Sequence, residues 1–416
     1  MKTWLRRASV GIALLVVLLF VVGAISRVYQ FWDDDAQRGA TTVAQDVFGD
    51  RFSTVKYLDQ GWKPEESLWF YTTTQGSNLL PYDFFMALEQ DGSRELFRSN
   101  ENMNRYRYLP QKATFSNPDA LPVGFVKDSY QRKDYLGFTC AACHTGQVNY
   151  KNTGIRIDGG PAGSDMDSFL QDLEKTLRTT RDTDAVRARF VKRVMDRGHF
   201  ASEQDVVDGL GTYSQRISTA RVVDRSETRY GYSRIDAFGR IYNRVLEHIM
   251  DEKTLKELLK DEFKDDELTS ILDGVDRVLT GEQRDHIIER IAQALTLKQQ
   301  VQLAKRIFNT PDAPVSYPFL WDIPQSDYVQ WNGIGANAGL GPVGRNSGEV
   351  IGVFATLDWE ERRGVSLSSL IGGQGFKGTH VSFQSSINVR NLRHIESRLG
   401  HLWSPQWPEE DRKSVV

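Results

Sequence analysis

The chain is poor in cysteine, with two in 416 residues. Two cysteines build neither a disulfide framework nor a four-cysteine zinc site. It has no excess of charge of one sign either. Its 52 basic and 55 acidic residues leave a net charge of −3. That excludes a polybasic nucleic-acid binder and an acidic tail protein. Only one long hydrophobic run is present, so the chain crosses a membrane once at most. Internal repeats, low-complexity tracts and the G-x-S-x-G signature of a serine hydrolase are all missing. What is there is ordinary for a globular protein: 40% hydrophobic and 26% charged residues, with length enough for two or three domains.

The single hydrophobic run is N-terminal. Lys2, Arg6 and Arg7 precede an uncharged stretch from Ala8 to Ser26, whose strongly apolar part is Val10 to Ile25. Its length falls between a signal-peptide core and a spanning helix. Val22 and Ala24 would serve as small residues before a cleavage site, whereas Tyr29, Phe31 and Trp32 read as an interfacial aromatic belt. Anchor and cleaved signal both stay open. In either case the basic end stays in the cytoplasm and the bulk of the chain goes outward. The expected location is a membrane crossed once, with the bulk of the chain on its outer side.

Four stretches follow from composition: an anchor or signal over 1–31, an aromatic, turn-rich segment over 32–181, a charged helical segment over 182–310, and a Gly/Pro-rich segment over 311–416. Ser164 or Asp165 caps a helix carrying Phe169, Leu170, Leu173 and Leu177. Val186, Phe190 and Val194 mark a second helix. Leu255, Leu258, Leu259 and Phe263 mark a third, and Ile287, Ile291, Leu295 and Leu297 a fourth. The charges of 251–267 read as a solvated helix face. Two G-x-G-x-x-G runs, at Gly339–Gly344 and Gly373–Gly378, lack a βαβ context and read as loops.

One motif carries chemistry. Cys140-Ala141-Ala142-Cys143-His144 is a C-x-x-C-H run, the attachment signature of c-type haem. Two thiols add to the two vinyl groups of one porphyrin, and the following imidazole becomes the proximal iron ligand. With two cysteines and seven histidines in 416 residues, chance gives such a run about once in 12,000 shuffles. A thioredoxin-like dithiol would want a βαβ context, and Tyr135 to Thr139 offers one short strand. A zinc site would need two more ligands. The cofactor reading is therefore one covalent haem c on Cys140, Cys143 and His144, with His144 on the metal.

The sixth iron position decides between electron transfer and oxygen or peroxide chemistry. Met195 and Met166 are candidate ligands but both suit a helix core. Met250 is the remaining methionine after the motif. His248 and His286 read as surface residues of charged helices, and His199 and His380 are further candidates. His394 and His401, seven apart, would share a helix face with Asn391, Leu392, Ile395 and Leu399.

The run Gly137 to Val148, Tyr150, and Arg156-Ile157-Asp158-Gly159-Gly160-Pro161-Ala162 resemble a group of large exported bacterial c-type cytochromes. That group includes the rubber oxygenases and is distantly related to the dihaem cytochrome c peroxidases. Asn117–Gly124, Arg234–Gly239, Gln330–Gly333 and Arg345–Glu349 are similar to it as well, so the resemblance spans Trp62 to Pro408. Family members carry two haems, the second C-x-x-C-H following a segment like Ser404–Pro408. This chain resembles the N-terminal haem half alone, as a truncated product, a frameshifted reading or a single-haem variant. The resemblance implies a mainly α, cytochrome c-like haem domain with long loops and helical insertions, preceded by one N-terminal membrane helix or signal. It implies a place at the bacterial inner membrane, with the bulk of the chain in the periplasm. It also implies an open distal side beneath apolar aromatics, for which Trp321, Trp331 and Phe354 are candidates. Asp158 would orient its loop. Arg156, Arg345 and Asn346 would reach haem propionates or form structural salt bridges.

The expected partners are a redox protein or a small oxidant, and the membrane through the N-terminal helix, with no nucleic acid. Three readings stay open. One is a haem-dependent peroxidase or dioxygenase, with catalytic residues unassigned. Another is a six-coordinate electron-transfer cytochrome. The third is a fragment that never matures.

Overall fold

The computed structural model describes residues 2–43, 46–49, 52–249, 252–261, 263–272, 290, 293–330, 332–363 and 379–406. Met250, His286, Trp331, Ile287, Ile291 and the Gly373–Gly378 run lie outside the described residues. The first helix, Lys2–Asp33, contains Val10–Asp33, which is long and apolar enough to cross a membrane or serve as a signal. None of that stretch is buried by the rest of the chain. At 1.5 Å per residue it reaches about 36 Å, enough for a hydrocarbon core.

About half the chain is helical, in line with a mainly α reading, but two small sheets frame the motif. The first comprises β2 (Leu80–Pro81), β3 (Phe125–Tyr130) and β4 (Lys133–Phe138), in the order β2-β4-β3 and antiparallel throughout. The second comprises β1 (Thr54–Tyr57), β5 (Thr145–Tyr150) and β6 (Thr153–Asp158), in the order β1-β6-β5, with β1 parallel to β6. The hairpin β3-β4 pairs Tyr130 with Lys133 and turns through Gln131 and Arg132, both at positive φ. The hairpin β5-β6 pairs Tyr150 with Thr153 and turns through Lys151 and Asn152, also both at positive φ. Two-residue turns of this hand match the right-handed twist of the strands. Neither turn carries a glycine, so the sequence does not announce them.

The segment 139–144 joins β4 of one sheet to β5 of the other. Cys140–Ala142 is a single 3-10 turn. Its alanines plug into two different cores. Ala142 belongs to a cluster of edge-on aromatics that includes Phe97, Tyr108, Phe125, Phe138 and Phe169. Ala141 belongs to a second cluster with Leu68, Phe70, Val350, Leu392 and Ile395.

The helix Met166–Asp182 starts where capping places it, with Asp165 accepting from the Ser168 N–H, and buries Phe169, Leu170, Leu173 and Leu177. Asp184–Asp196 buries Phe190 and Val194. Glu252–Leu259 turns Leu255 and Leu259 inward and leaves its lysines exposed. Leu297 opens the helix Leu297–Ile307.

Three expectations are corrected. Gly341 and Gly344 are not loop residues: Pro342 sits in the first turn of the helix Gly341–Gly352, where its missing N–H costs nothing. His401 does not share a face with His394, because the helix Val389–Leu399 stops first. His248 is not on the surface. It is 1% exposed on the helix Ala237–Ile249, its Nδ1 donating to the Arg244 carbonyl at 2.7 Å.

Candidate functional site

The attachment turn is fastened at both ends. The Thr139 N–H donates to the Gly124 carbonyl at 2.8 Å, and Thr139 Oγ1 to the Tyr71 carbonyl at 3.2 Å. The His144 N–H donates to the Cys140 carbonyl at 2.9 Å. The carbonyls the turn leaves over are taken by the chain after Asp158. The Ala162 N–H donates to the Cys143 carbonyl at 2.9 Å, and the Ser164 hydroxyl to the Ala142 carbonyl at 3.0 Å. This is why the Asp-Gly-Gly-Pro-Ala run follows the motif: it folds back onto it.

Asp158 is held from several sides. It is 4% exposed and accepts from Ser67 Oγ at 2.6 Å and from the Tyr71 hydroxyl. Its backbone exchanges two 2.9 Å bonds with the Gln60 amide. Burial pushes its carboxyl above the usual range. Arg156 is fully enclosed, with Nε on Gln147 Oε1 at 3.0 Å and Nη2 on the Pro110 carbonyl at 2.9 Å. A guanidinium closed off from solvent does not line a cleft, so the propionate expectation fails for Arg156.

Cys140 and Cys143 are free thiols. The Cys140 thiol donates to Gln75 Oε1 at 3.2 Å. His144 Nδ1 lies 2.8 Å from the Pro318 carbonyl. A carbonyl only accepts, so Nδ1 carries the proton and Nε2 keeps its lone pair. Burial lowers the imidazole to about 4, against the opposing pull of that hydrogen bond, so the ring is neutral. Burial likewise pushes each thiol up to about 12. Yet all three side chains remain partly open to solvent. The three residues thus lie just below the surface, closely surrounded but partly reachable by solvent.

Part of their surroundings comes from residues more than 170 positions away. The helix Gly341–Gly352 carries Arg345 and Glu349, one turn apart and so on one face. Arg345 is close enough to His144 to disfavour its protonation, and Glu349 to raise both thiols. Glu349 accepts from Gln330 Nε2 at 3.2 Å, and burial raises its carboxyl. Arg345 is paired with Glu396 at 2.7 Å and with Asn337 at 2.8 Å, and Asn346 shares that Glu396 oxygen at 2.6 Å. Beside Pro318, Phe319 and Trp321 stack with centroids 4.9 Å apart, and Phe319 is 50% exposed. Phe354 instead lies in the aromatic core.

Of the candidate sixth ligands, three are engaged elsewhere. Met166 is buried in the aromatic core and Met195 packs on it. His199 Nδ1 sits 2.8 Å from Asp83. His394 and His401 are exposed, and His380 lies in the strand Thr379–Ser385. Among the described residues no three histidine, cysteine, aspartate or glutamate side chains are grouped to hold a metal ion. The residues present do fit a porphyrin attached at its edge: two free thiols, an imidazole with an available Nε2, and an apolar shelf at 319–321.

Sequence reasoning missed Gln75, Tyr317, Pro318 and Glu349 as site residues. Glu349 stood inside a run already singled out. The other three carry no local signal, because fold-level contact alone brings them to the motif.

No protein-family model matches the chain, and no solved structure matches it. The curated proteins include a match described as the uncharacterized protein y4iJ of Sinorhizobium fredii (strain NBRC 101917 / NGR234). It is 26% identical over 387 residues, covering 85% of this chain and 53% of that protein. The chain thus spans about half the length of the curated relative it matches.

Proposed function

We propose that the chain is an exported c-type haem oxidoreductase, binding one covalent haem through Cys140 and Cys143 with His144 as the proximal ligand. One observation carries the reading: two free thiols three residues apart, followed by a neutral imidazole whose proton is tied to Pro318 and whose Nε2 is free. When bound, the haem supplies one-electron chemistry and a site for a small oxidant such as oxygen or a peroxide.

The chain's own residues do the rest. Pro318 holds the His144 ring in one tautomer and makes Nε2 a better donor. Asp158, Ser164 and Ala162 hold the turn that spaces the thiols. Glu349 is a carboxyl near the thiols able to hold or release a proton. The engagement of Met166 and Met195 in the core and of His199 with Asp83 favours an open sixth position. Lys2, Arg6 and Arg7 favour an outward-facing bulk, with an anchor or signal at 1–31.

The test is an optical spectrum of the full chain in detergent, coexpressed with haem-maturation proteins, reduced, then exposed to carbon monoxide. Covalent haem that survives denaturing electrophoresis and disappears in Cys140→Ala/Cys143→Ala is expected. A Soret shift with carbon monoxide supports the open site. A reduced spectrum indifferent to carbon monoxide replaces the oxygenase or peroxidase reading with electron transfer. Haem retained in the double variant overturns the attachment itself.

A further inference from the structure

The N-terminal helix enters the body of the chain without a linker. Asp33 closes the helix Lys2–Asp33, and Ala36, a few positions on, is fully buried. Ala36 lies in the same cluster as Ala141 of the attachment turn. The residues between are fastened individually. Asp34 accepts from the Ser116 N–H at 2.8 Å and from the Ser116 hydroxyl. Asp35 caps the short helix Ala36–Gly39, accepting from the Gln37 N–H at 2.7 Å and the Arg38 N–H at 3.1 Å. The Arg38 guanidinium lies 3.5 Å over the Trp32 ring. The Lys112 N–H donates to the Gly39 carbonyl at 2.6 Å, and Ala40 forms a bridge with Gln111. The loop 111–117 is thus pinned to the foot of the helix at two places. Thr114 and Asn117 are buried, while Lys112, Phe115 and Ser116 are exposed, Phe115 by 45%.

Tyr29, Phe31 and Trp32 read as the aromatic belt at the membrane surface. Asp34 stands just past Trp32, about 3 Å further along the helix axis. The headgroup layer is about 5–7 Å deep on each side of the hydrocarbon. Ser116, bonded to Asp34, therefore falls in or against that layer, and Phe115 is its chain neighbour. We infer that the loop 111–117 is a second membrane contact, resting in the outer headgroup layer and held there by the linker-free junction 33–36. The Phe115 ring suits the boundary between headgroups and acyl chains, and the Lys112 ammonium suits lipid phosphates. A lipid surface is the fitting occupant because the loop is bonded to the end of a helix that crosses one. The inference rests on the anchor alternative of the reading above and not on the haem. One ring and one ammonium do not hold a body on a membrane by themselves. What they set is its orientation. Ala36 and Ala141 share a cluster, so the tilt of the body also fixes how the attachment turn stands over the membrane.

The experiment is electron paramagnetic resonance of the full chain in vesicles of phosphatidylcholine and phosphatidylglycerol. A nitroxide is attached at Phe115→Cys in the Cys140→Ala/Cys143→Ala background, which leaves one thiol to label. Some vesicles carry a fraction of nickel-chelating headgroups, and the relaxation of the label reports how close it lies to them. Relaxation should quicken severalfold over that in nickel-free vesicles. A flexible Gly/Ser insertion after Asp33 cuts the junction while sparing both span and body, and should return the label most of the way to its nickel-free value. A label indifferent to nickel overturns the inference. So does an insertion without effect, which would make the contact the loop's own. Spin–spin broadening that vanishes on dilution with unlabelled chain would seat a second copy on the loop and overturns the lipid assignment. A chain whose mass shows the N-terminal helix removed defeats the anchor alternative, and the inference with it, before any label is read.

Discussion

Gly124 bears directly on the attachment turn, and Gly124→Ala tests the whole arrangement. Its φ is +83°, and a Cβ built on it would stand 2.1 Å from the Ala142 nitrogen and 2.3 Å from its Cα. An ordinary contact begins near 3.4 Å, so the strand and the turn would have to part by 1.3 Å. The obstacle is backbone, which cannot rotate away as a side-chain tip can. Three costs add: about 1–2 kcal/mol for a left-handed alanine, about 1–3 kcal/mol for overpacking, and about 1 kcal/mol if the Thr139–Gly124 hydrogen bond is lost. The expected destabilisation is therefore about 3–6 kcal/mol. Gly92 provides the control. Its φ is +74°, but nothing lies within 4 Å of the added carbon. Gly92→Ala should cost about 1 kcal/mol, the strain being offset in part by a stiffer unfolded chain. The assay is urea unfolding of the full chain in detergent, with covalent haem per chain measured alongside. Gly124→Ala should also lower haem occupancy, because the parted turn no longer holds Cys140 and Cys143. If the two variants unfold within 1 kcal/mol of each other, the turn does not abut Gly124, and the placement of the motif between the two sheets is wrong.

Acid should destabilise the chain that lacks the attachment cysteines. An unfolded imidazole takes its proton near 6.5, and His144 in the fold resists to about 4. Its contribution is present above pH 6.5 and lost as pH falls toward 4, by about 2 kcal/mol after allowance for partial solvent access. In the Cys140→Ala/Cys143→Ala background, His144→Ala should flatten that slope, and an unchanged slope refutes the assignment. Asp158→Ala should cost about 3–5 kcal/mol by stranding two donor hydroxyls near buried Arg156, and Asp158→Asn about half of that. Equal urea midpoints for the two would show that the acceptor oxygen is irrelevant. Deleting residues 1–33 should move the chain from the carbonate-washed membrane pellet to the soluble fraction, since the apolar part of Val10–Asp33 is not buried by the rest. Continued sedimentation would place the membrane contact elsewhere.

The helices were legible where apolar spacing and a capping residue agreed, as at Asp165 with Phe169, Leu173 and Leu177. The motif was legible because its chemistry is local. The two sheets were not, although they hold the motif. Their strands are at most six residues long, and their hairpins turn through Gln131-Arg132 and Lys151-Asn152 without the glycine that usually signals φ > 0. The run Gly339–Gly344, with Pro342 inside it, reads as a loop for a related reason. Proline breaks a helix interior but opens a helix at its first turn, and only the following residues tell the two apart. The surroundings of the motif were least legible, since the contact of Pro318 with His144 spans 174 positions.

His248 shows a deeper limit. Charge along a helix reads as exposure, and the helix Ala237–Ile249 breaks that rule. It buries Arg240, Asn243, Arg244, Glu247 and His248 while Tyr242 is 56% exposed. Those positions recur at helical spacing, so the face is real, but it is the polar one. It can be buried because each group meets a partner. Arg244 pairs with Glu247 at 2.5 Å, Arg240 reaches Asp167 at 3.1 Å, and Asn243 bonds Asp224 and the Asn309 carbonyl at 3.0 Å each. Buried pairs of this kind add little net stability, since desolvation offsets their attraction. What they provide is a fixed register, because a shifted helix would strand a charge. The register matters for the motif. Arg244 Nη2 also donates to the Ala355 carbonyl at 3.3 Å, and Ile241 fills the space over Gly352. Both contacts act on the end of the helix that carries Arg345 and Glu349 toward His144. The buried charges thus hold part of the motif's surroundings in place, and a sequence rule that equates charge with surface could not see them do it.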